Sequence, residues 1–448
     1  MNKLMQHHFL HLTINTRTMK KIIFTLVISC VCILIAHAQS ETESFTADGI
    51  KVIFKPTTKN VVNVMMFFRG GVTNYPANKA GIEALTLNAT TECGTKKYPA
   101  TAFKDTSDKY GILMYGASTY DFGFIQVNCI SKYFDKGWDL FSDAIMNPVF
   151  DAGEVNLLKS KVLAANKSRL SNPDNHLFEL QMQNAFKNTP YAVSPNGNEQ
   201  TIESLSATDL ADYYKTLLNK NRIFIVVVGN VSKQDIFEKI LLTFGDIPSK
   251  PYTDVEMKTP VFNDNKLLAE KRNTKLDYIG AVVNSPEFTD VNYVPFRLGI
   301  SALGGSLYAA LSAQSNLVYN TTATAFQLKM PIALITASST HVQETMLVMV
   351  RKLKELQANG TDGEWLQHIK NTYLTEYYLN NQNVTNIAAI LGQAEVLGNW
   401  QYADDLTKLV DMATAEQISS ALNFYITGLR WTYLGNTEVF EDFRPPVY

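Results

Sequence analysis

The amino-acid sequence predicts an α+β protein made of two homologous layered lobes, each a mixed, mostly antiparallel sheet with flanking helices. Three observations carry that prediction. From residue 49 to residue 228, short apolar segments of strand-like composition alternate with longer segments of helical period. The stretches 206–230 and 414–436 repeat one plan: a helix, a short turn and an apolar strand closed by Gly229-Asn230 or Gly435-Asn436. Between the copies, residues 248–264 turn polar and carry Pro248, Pro251 and Pro260, which break periodicity and mark a link.

Taken in order, residues 49–56 and 61–69 read as a strand pair. The small and apolar residues Ala80, Ile82, Ala84, Leu85, Leu87 and Ala89 then give 80–91 one buried helical face. A second helix is predicted over 101–110, followed by a hairpin from 114–120 and 123–130. Helices follow over 136–146 and, after Asn147-Pro148, over 152–170, where Ser171-Asn172-Pro173 stops the pattern. Helices over 175–186 and 207–217 lead to a strongly apolar strand, 222–228. In the second half 342–357 and 364–378 read as successive helices, as two do within 138–173. The predicted organisation is a leader over 1–38, a first lobe over 39–250, a linker over 251–264 and a second lobe over 265–448.

At 448 residues, 46% hydrophobic and 18% charged, the composition suits a soluble globular chain long enough for two domains. Forty Lys and Arg against 42 Asp and Glu, scattered rather than striped, leave a net charge of -2 and no footprint for nucleic acid. Met19-Lys20-Lys21, the apolar run 22–35 and Ala36-His37-Ala38 have the basic start, short apolar core and A-x-A pattern of a secretory signal. Cleavage before Gln39 is expected, and with it an exported protein, periplasmic or extracellular, without a stable membrane span. An uncleaved anchor and a lipid-modified Cys30 are the alternatives. Cys30 and Cys32 leave with the signal. The remaining Cys93 and Cys129 are permitted to pair in an oxidising compartment, although spacing does not show that they meet, and two buried thiols are the simpler reading. No CxxC or nearby His completes a tetrahedral metal set around them.

Residues 79–95 read KAGIEALTLNATTECGT and follow a strand rich in Val, Phe and Met and the pair Gly70-Gly71. This arrangement resembles the insulinase/pitrilysin family of inverted-motif zinc peptidases, which includes the mitochondrial processing peptidases. There the helix reads roughly A-G-L-A-H-x-x-E-H, and its two His bind zinc while the Glu activates the metal-bound water. Ala80-Gly81-Ile82-Glu83 match the lead-in, but the resemblance puts the first His on Ala84, the base on Leu87 and the second His on Asn88. In the neighbouring register the roles fall on Leu85, Asn88 and Ala89. Both registers are empty, and no His occurs between His37 and His176. The family's third ligand, a Glu on the long helix after the Asn-Pro turn, falls on Ala165. A zinc site of this type needs three protein ligands. The resemblance therefore implies a member that holds no zinc cofactor, with zinc expected only in a partner subunit. Thr189-Pro190-Tyr191 and residues 197–205, GNEQTIESL, resemble scaffold segments of the family. The likeness spans 46–440 and implies two lobes facing each other in a clam-like chain.

The second lobe of that family carries a glycine-rich segment whose Arg and Tyr hold the substrate backbone. Here Gly304-Gly305-Ser306-Leu307-Tyr308 and Leu311 match, while the Arg falls on Ser312, the following Gly on Asn316 and the Tyr on Tyr319. Ser312 is thus a lost clamp position. Tyr319 is the candidate substrate contact, the other reading being a packed strand residue. His341 reads as a surface residue at the start of a helix, and His368 has no second ligand in sequence reach. No G-x-S-x-G and no His placed to serve a Ser or Cys nucleophile occurs. The resemblance implies a non-catalytic homologue, the partner of an active zinc peptidase of the same family or a peptide-binding shell. An active metalloendopeptidase with a non-standard site and a stand-alone peptide-binding protein are the alternatives.

Overall fold

The computed structural model describes residues 42–313 and 318–448, so the leader expected over 1–38 and Asn316 lie outside the described residues. In chain order the first half carries β1 (Glu43–Ala47), β2 (Ile50–Pro56), β3 (Val61–Arg69), α1 (Ile82–Glu92), α2 (Ala100–Tyr110), β4 (Leu113–Ser118), β5 (Phe122–Ile130), α3 (Phe134–Met146), α4 (Ala152–Ser171), α5 (Pro173–Ala185), α6 (Glu199–Ser204), α7 (Ala207–Leu217), β6 (Ile223–Gly229) and α8 (Lys233–Phe244). The second half carries β7 (Leu267–Lys271), β8 (Asp277–Asn284), α9 (Tyr293–Leu307), β9 (Val318–Phe326), β10 (Ile332–Ser339), α10 (Val342–Asn359), α11 (Gly363–Asn380), α12 (Val384–Val396), α13 (Gln401–Met412), α14 (Ala415–Tyr425) and β11 (Arg430–Gly435).

Local chemistry sets many of these boundaries. Asn172 ends α4 and caps α5, its side chain accepting from the N–H groups of Asp174 and Asn175 with Pro173 in the first turn. This is why α5 begins two residues before the expected start at 175. The repeated segments begin with the same device: Ser206 and Asp209 form a capping box at α7, and Thr414 and Gln417 form one at α14.

The expected pairing of 49–56 with 61–69 is not observed. β6 lies between them, parallel to β2 (Val52 opposite Ile225) and antiparallel to β3 (Val64 opposite Val227). Every residue of β6 is buried, so it needs neighbours on both edges and layers on both faces. The connection from β2 to β3 straddles its end, with the Thr57 N–H on Gly229 O and the Asn230 N–H on Val61 O. The expected hairpin is present as β4 and β5.

The first sheet has the order β1-β2-β6-β3-β5-β4 and the second β7-β11-β8-β10-β9. In the second, β7 and β11 are parallel and the other pairs antiparallel. From β2 onward the first sheet has the same order and the same directions, so the two halves are copies of one design. β4 and β9 are equivalent edge strands.

Each half also covers the sheet of the other. α3 and α8 line one face of the first sheet, where Trp138, Phe141 and Phe244 pack with Val64, Val127 and Val227. The opposite face is covered by α12, whose Ile387, Ala388 and Leu391 share a core with Met65, Phe67 and Phe224. Gly392 lies so close to Phe67 that an added Cβ would fall 2.0 Å from the ring. Conversely, α5 packs on β8 and β11, and Asn184 Nδ2 donates to Trp431 O at 2.9 Å. Residues 44–448 consequently form one compact unit. Residues Tyr293–Ser312 are long and apolar enough to cross a membrane, but 56% of that window is buried, as in a core helix.

Candidate functional site

The vacated positions lie on two helices that pack together. α1 leaves Gly81, which has φ 88°, and runs under β4. Gly116 of β4 is pressed so closely on α1 that an added Cβ would lie 2.0 Å from Leu87 O. Leu87 is wholly buried, whereas Ala84 and Asn88 are partly exposed. Leu85 and Ala89, the ligand positions of the neighbouring register, are buried in the core. Ala165 is exposed on α4, which packs against α1, and Lys161 Nζ reaches Glu92 Oε2 at 3.5 Å. The fold thus brings together the helices that hold all four positions. Their side chains offer two methyl groups, an isobutyl group and one amide, a donor set that does not fit zinc. Among the described residues no group of three or more His, Cys, Asp or Glu could hold a metal ion.

Sequence reasoning passed over the residue before Ala84. Glu83 is wholly buried and accepts from Asn74 Nδ2 at 2.8 Å, Ser118 Oγ at 2.9 Å and Tyr213 OH at 2.6 Å. Arg222 Nη2 lies 3.9 Å away. Burial raises the Glu83 pKa, and the bonds from Tyr213 and Asn74, the charge of Arg222 and the Ser118 hydroxyl oppose that rise. A carboxylate within the otherwise apolar or small stretch from Ala80 to Leu87 was the available signal. The partners come from four separate segments and could not be read locally.

The other candidates are scattered. Tyr319, on the edge strand β9, is 83% exposed, so it is not the packed strand residue that was the alternative reading. Ser312 closes the apolar helix, partly buried, with an Oγ that has no hydrogen-bond partner among the described residues. His341 is exposed before α10 and meets Thr340 Oγ1 at 3.0 Å, and His368 stacks on Trp365 at 5.4 Å. Cys93 and Cys129 are free and buried. Burial pushes their thiols up to about 12 and about 11, which keeps them protonated and unreactive.

A duplicated α/β lobe with a ligand-free helix pair at the peptidase position defines a class, the peptidase scaffold without its metal centre. Residues 51–197 match the insulinase domain of peptidase family M16, and residues 204–373 match the domain described as the peptidase M16 inactive domain. The chain is 24% identical over 310 residues to the non-peptidase homolog YmxG of Helicobacter pylori, covering 67% of this chain and 71% of that one. It is 20% identical over 328 residues to the mitochondrial-processing peptidase subunit beta of Blastocladiella emersonii, covering 69% and 70%. The crystal structure of a peptidase M16 inactive domain from Pseudomonas fluorescens superposes with a TM-score of 0.81 at 17% identity, covering 89% of this chain and 98% of that one. The periplasmic protease PqqL of Escherichia coli gives 0.74 at 15% identity, covering 89% of this chain and 47% of the other. The chain belongs to the insulinase family of M16 peptidases, as a member that lacks the zinc motif.

Proposed function

We propose that this M16 homologue is the non-catalytic partner of an active zinc peptidase of the same family, helping to enclose peptides in a shared chamber. The observation that carries the reading is the coincidence of a retained two-lobe scaffold with Ala84, Leu87, Asn88 and Ala165 at the ligand and base positions. Zinc then resides only in the partner, and this chain contributes surface. A peptide would lie along a sheet edge, held by main-chain hydrogen bonds. Tyr319 is 83% exposed on such an edge and is free to touch it, while Ser312 offers no charge. The signal-like leader supports export to the periplasm or beyond, and the relative PqqL is named as periplasmic. Co-purification from the native envelope, followed by a peptidase assay of the partner with and without this chain, tests the reading. Co-elution with a gain in activity is expected, and a partner equally active alone that never co-elutes refutes it.

A further inference from the structure

We propose that Arg297, on α9, holds the carboxylate of a small organic acid or of a peptide by the Nε–Nη2 edge of its guanidinium. Every other arginine among the described residues meets a carboxylate or a backbone carbonyl. Arg69, Arg169, Arg351 and Arg430 pair with carboxylates, Arg222 faces one, and Arg272 and Arg444 donate to carbonyls. Arg297 has neither. Its Nη1 lies 3.4 Å from Tyr293 OH and 3.4 Å from Tyr373 OH, and its guanidinium carbon sits 4.9 Å from the centre of the Tyr373 ring on α11. Its Nε and Nη2 make no hydrogen bond among the described residues, and neither atom is sealed from solvent. Those two groups form the side of the fork that donates parallel bonds to both oxygens of a carboxylate. A half-buried guanidinium stays charged, so leaving it without an acceptor is costly unless an anion completes it.

The groups around Arg297 are short of acceptors. Tyr293 OH lies 2.5 Å from Gln327 Nε2, and turning that amide over exchanges a donor for an acceptor at the contact. In either orientation the guanidinium, the two phenols and the amide hold more donors than acceptor oxygens. The Gln327 loop is fixed from α12, where Gln393 Nε2 donates to Gln327 O at 2.9 Å. Burial raises the Tyr373 pKa and the Arg297 charge opposes that rise, so this phenol is a neutral donor. Glu376, exposed one turn further along α11, acts on Arg297 through its charge without forming an ion pair. Its negative charge favours a singly charged carboxylate over a phosphate dianion.

The inference stands apart from the partner reading, since none of Ala84, Leu87, Asn88, Ala165 and Tyr319 enters it. Its test is titration calorimetry of the full chain with 3-phenylpropionate, the uncharged amide of that acid, inorganic phosphate, and the tripeptide Ala-Ala-Phe as free acid and as C-terminal amide. An acid should bind about tenfold more tightly than its own amide and than phosphate. Binding of 3-phenylpropionate assigns the site to free organic acids, binding of the tripeptide acid alone assigns it to peptides, and either supports the proposal. Arg297→Gln should abolish the preference for acid over amide. Arg297→Lys, which keeps the charge but not the fork, should weaken the acid about tenfold. Tyr373→Phe should weaken it about threefold, and Arg351→Gln on α10 should change nothing. Equal affinity for acid and amide, tighter binding of phosphate, a preference that survives Arg297→Gln, or failure of both acids to bind overturns the proposal. If Arg297→Gln does not fold, undiminished acid binding by folded Arg297→Lys overturns it instead.

Discussion

At position 83 a carboxylate is buried one residue before Ala84, which the family resemblance sets at a ligand position, and its oxygens are met by an amide, a hydroxyl and a phenol. Removing it takes the acceptor from the buried Tyr213 OH and the facing charge from Arg222, while Asn74 and Ser118 keep only their longer bonds to Arg69 O and Thr119 O; glutamine keeps the shape and the two hydroxyls can turn to accept. Glu83→Ala should therefore cost on the order of 3 kcal/mol and Glu83→Gln less than half of that, measured by denaturant unfolding. The same residue scale supports a constructive test of the vacated centre. Ala84 and Asn88 are the partly exposed pair on α1, and Ala165 is exposed on α4, which packs against α1. Ala84→His, Asn88→His and Ala165→Glu together supply three ligands without burying a new charge at Leu87. Calorimetry should detect zinc uptake by the folded triple variant, and its absence would contradict the assigned register. The absence of His between His37 and His176 was legible in the sequence and needs no structure. Glu83 was not, because its partners Asn74, Ser118, Tyr213 and Arg222 meet only in three dimensions.

Among elements, the β4–β5 turn touches the second half through one titrating group. Asp121 is 3% exposed, accepts from Tyr191 OH and takes the Lys329 N–H at 3.1 Å, while Lys329 Nζ pairs with Asp254 at 3.0 Å. Burial pushes the Asp121 carboxyl up to about 6. A carboxyl whose folded pKa lies above its unfolded value contributes stability that is full below the unfolded pKa, near 3.8, and is lost as pH rises through the folded one. Relative to Asp121→Asn, the native protein should lose on the order of 3 kcal/mol between pH 4 and pH 7, read from unfolding midpoints at each pH. A flat difference across that range would show that the group does not titrate in the fold. Glu395 on α12 makes a comparable tie. It is 6% exposed and lies 2.9 Å from Lys51 Nζ and 2.7 Å from Arg69 Nη2. Glu395→Ala should leave Arg69 unpaired at a cost of about 3 kcal/mol and speed hydrogen exchange in α12 before the first sheet exchanges. Element existence was legible from periodicity: 61–69 and 207–217 coincide with β3 and α7. What periodicity could not supply was pairing, since β6 enters between β2 and β3 from more than 150 residues away.

For the molecule as a whole, the exchange of α5 and α12 between halves unites residues 44–448 around interleaved cores. The repeat of helix, turn and Gly-Asn strand end announced two copies, and the sheets have that common order. Their mutual coverage was hidden, because a helix carries the same apolar stripe whichever sheet it meets. A scaffold kept in this detail without His or acidic side chains at Ala84, Leu87, Asn88 and Ala165 is the basis for the proposal that the chain assists another subunit's catalysis. The most direct measurement purifies the complex from the native envelope and compares the chelator-sensitive peptidase activity of the partner alone, with this chain, and with this chain carrying Tyr319→Ala. The account predicts co-elution, activity raised by the native chain and a smaller rise with the variant, with zinc present only in the partner. A partner that never co-elutes and works equally well alone would contradict it.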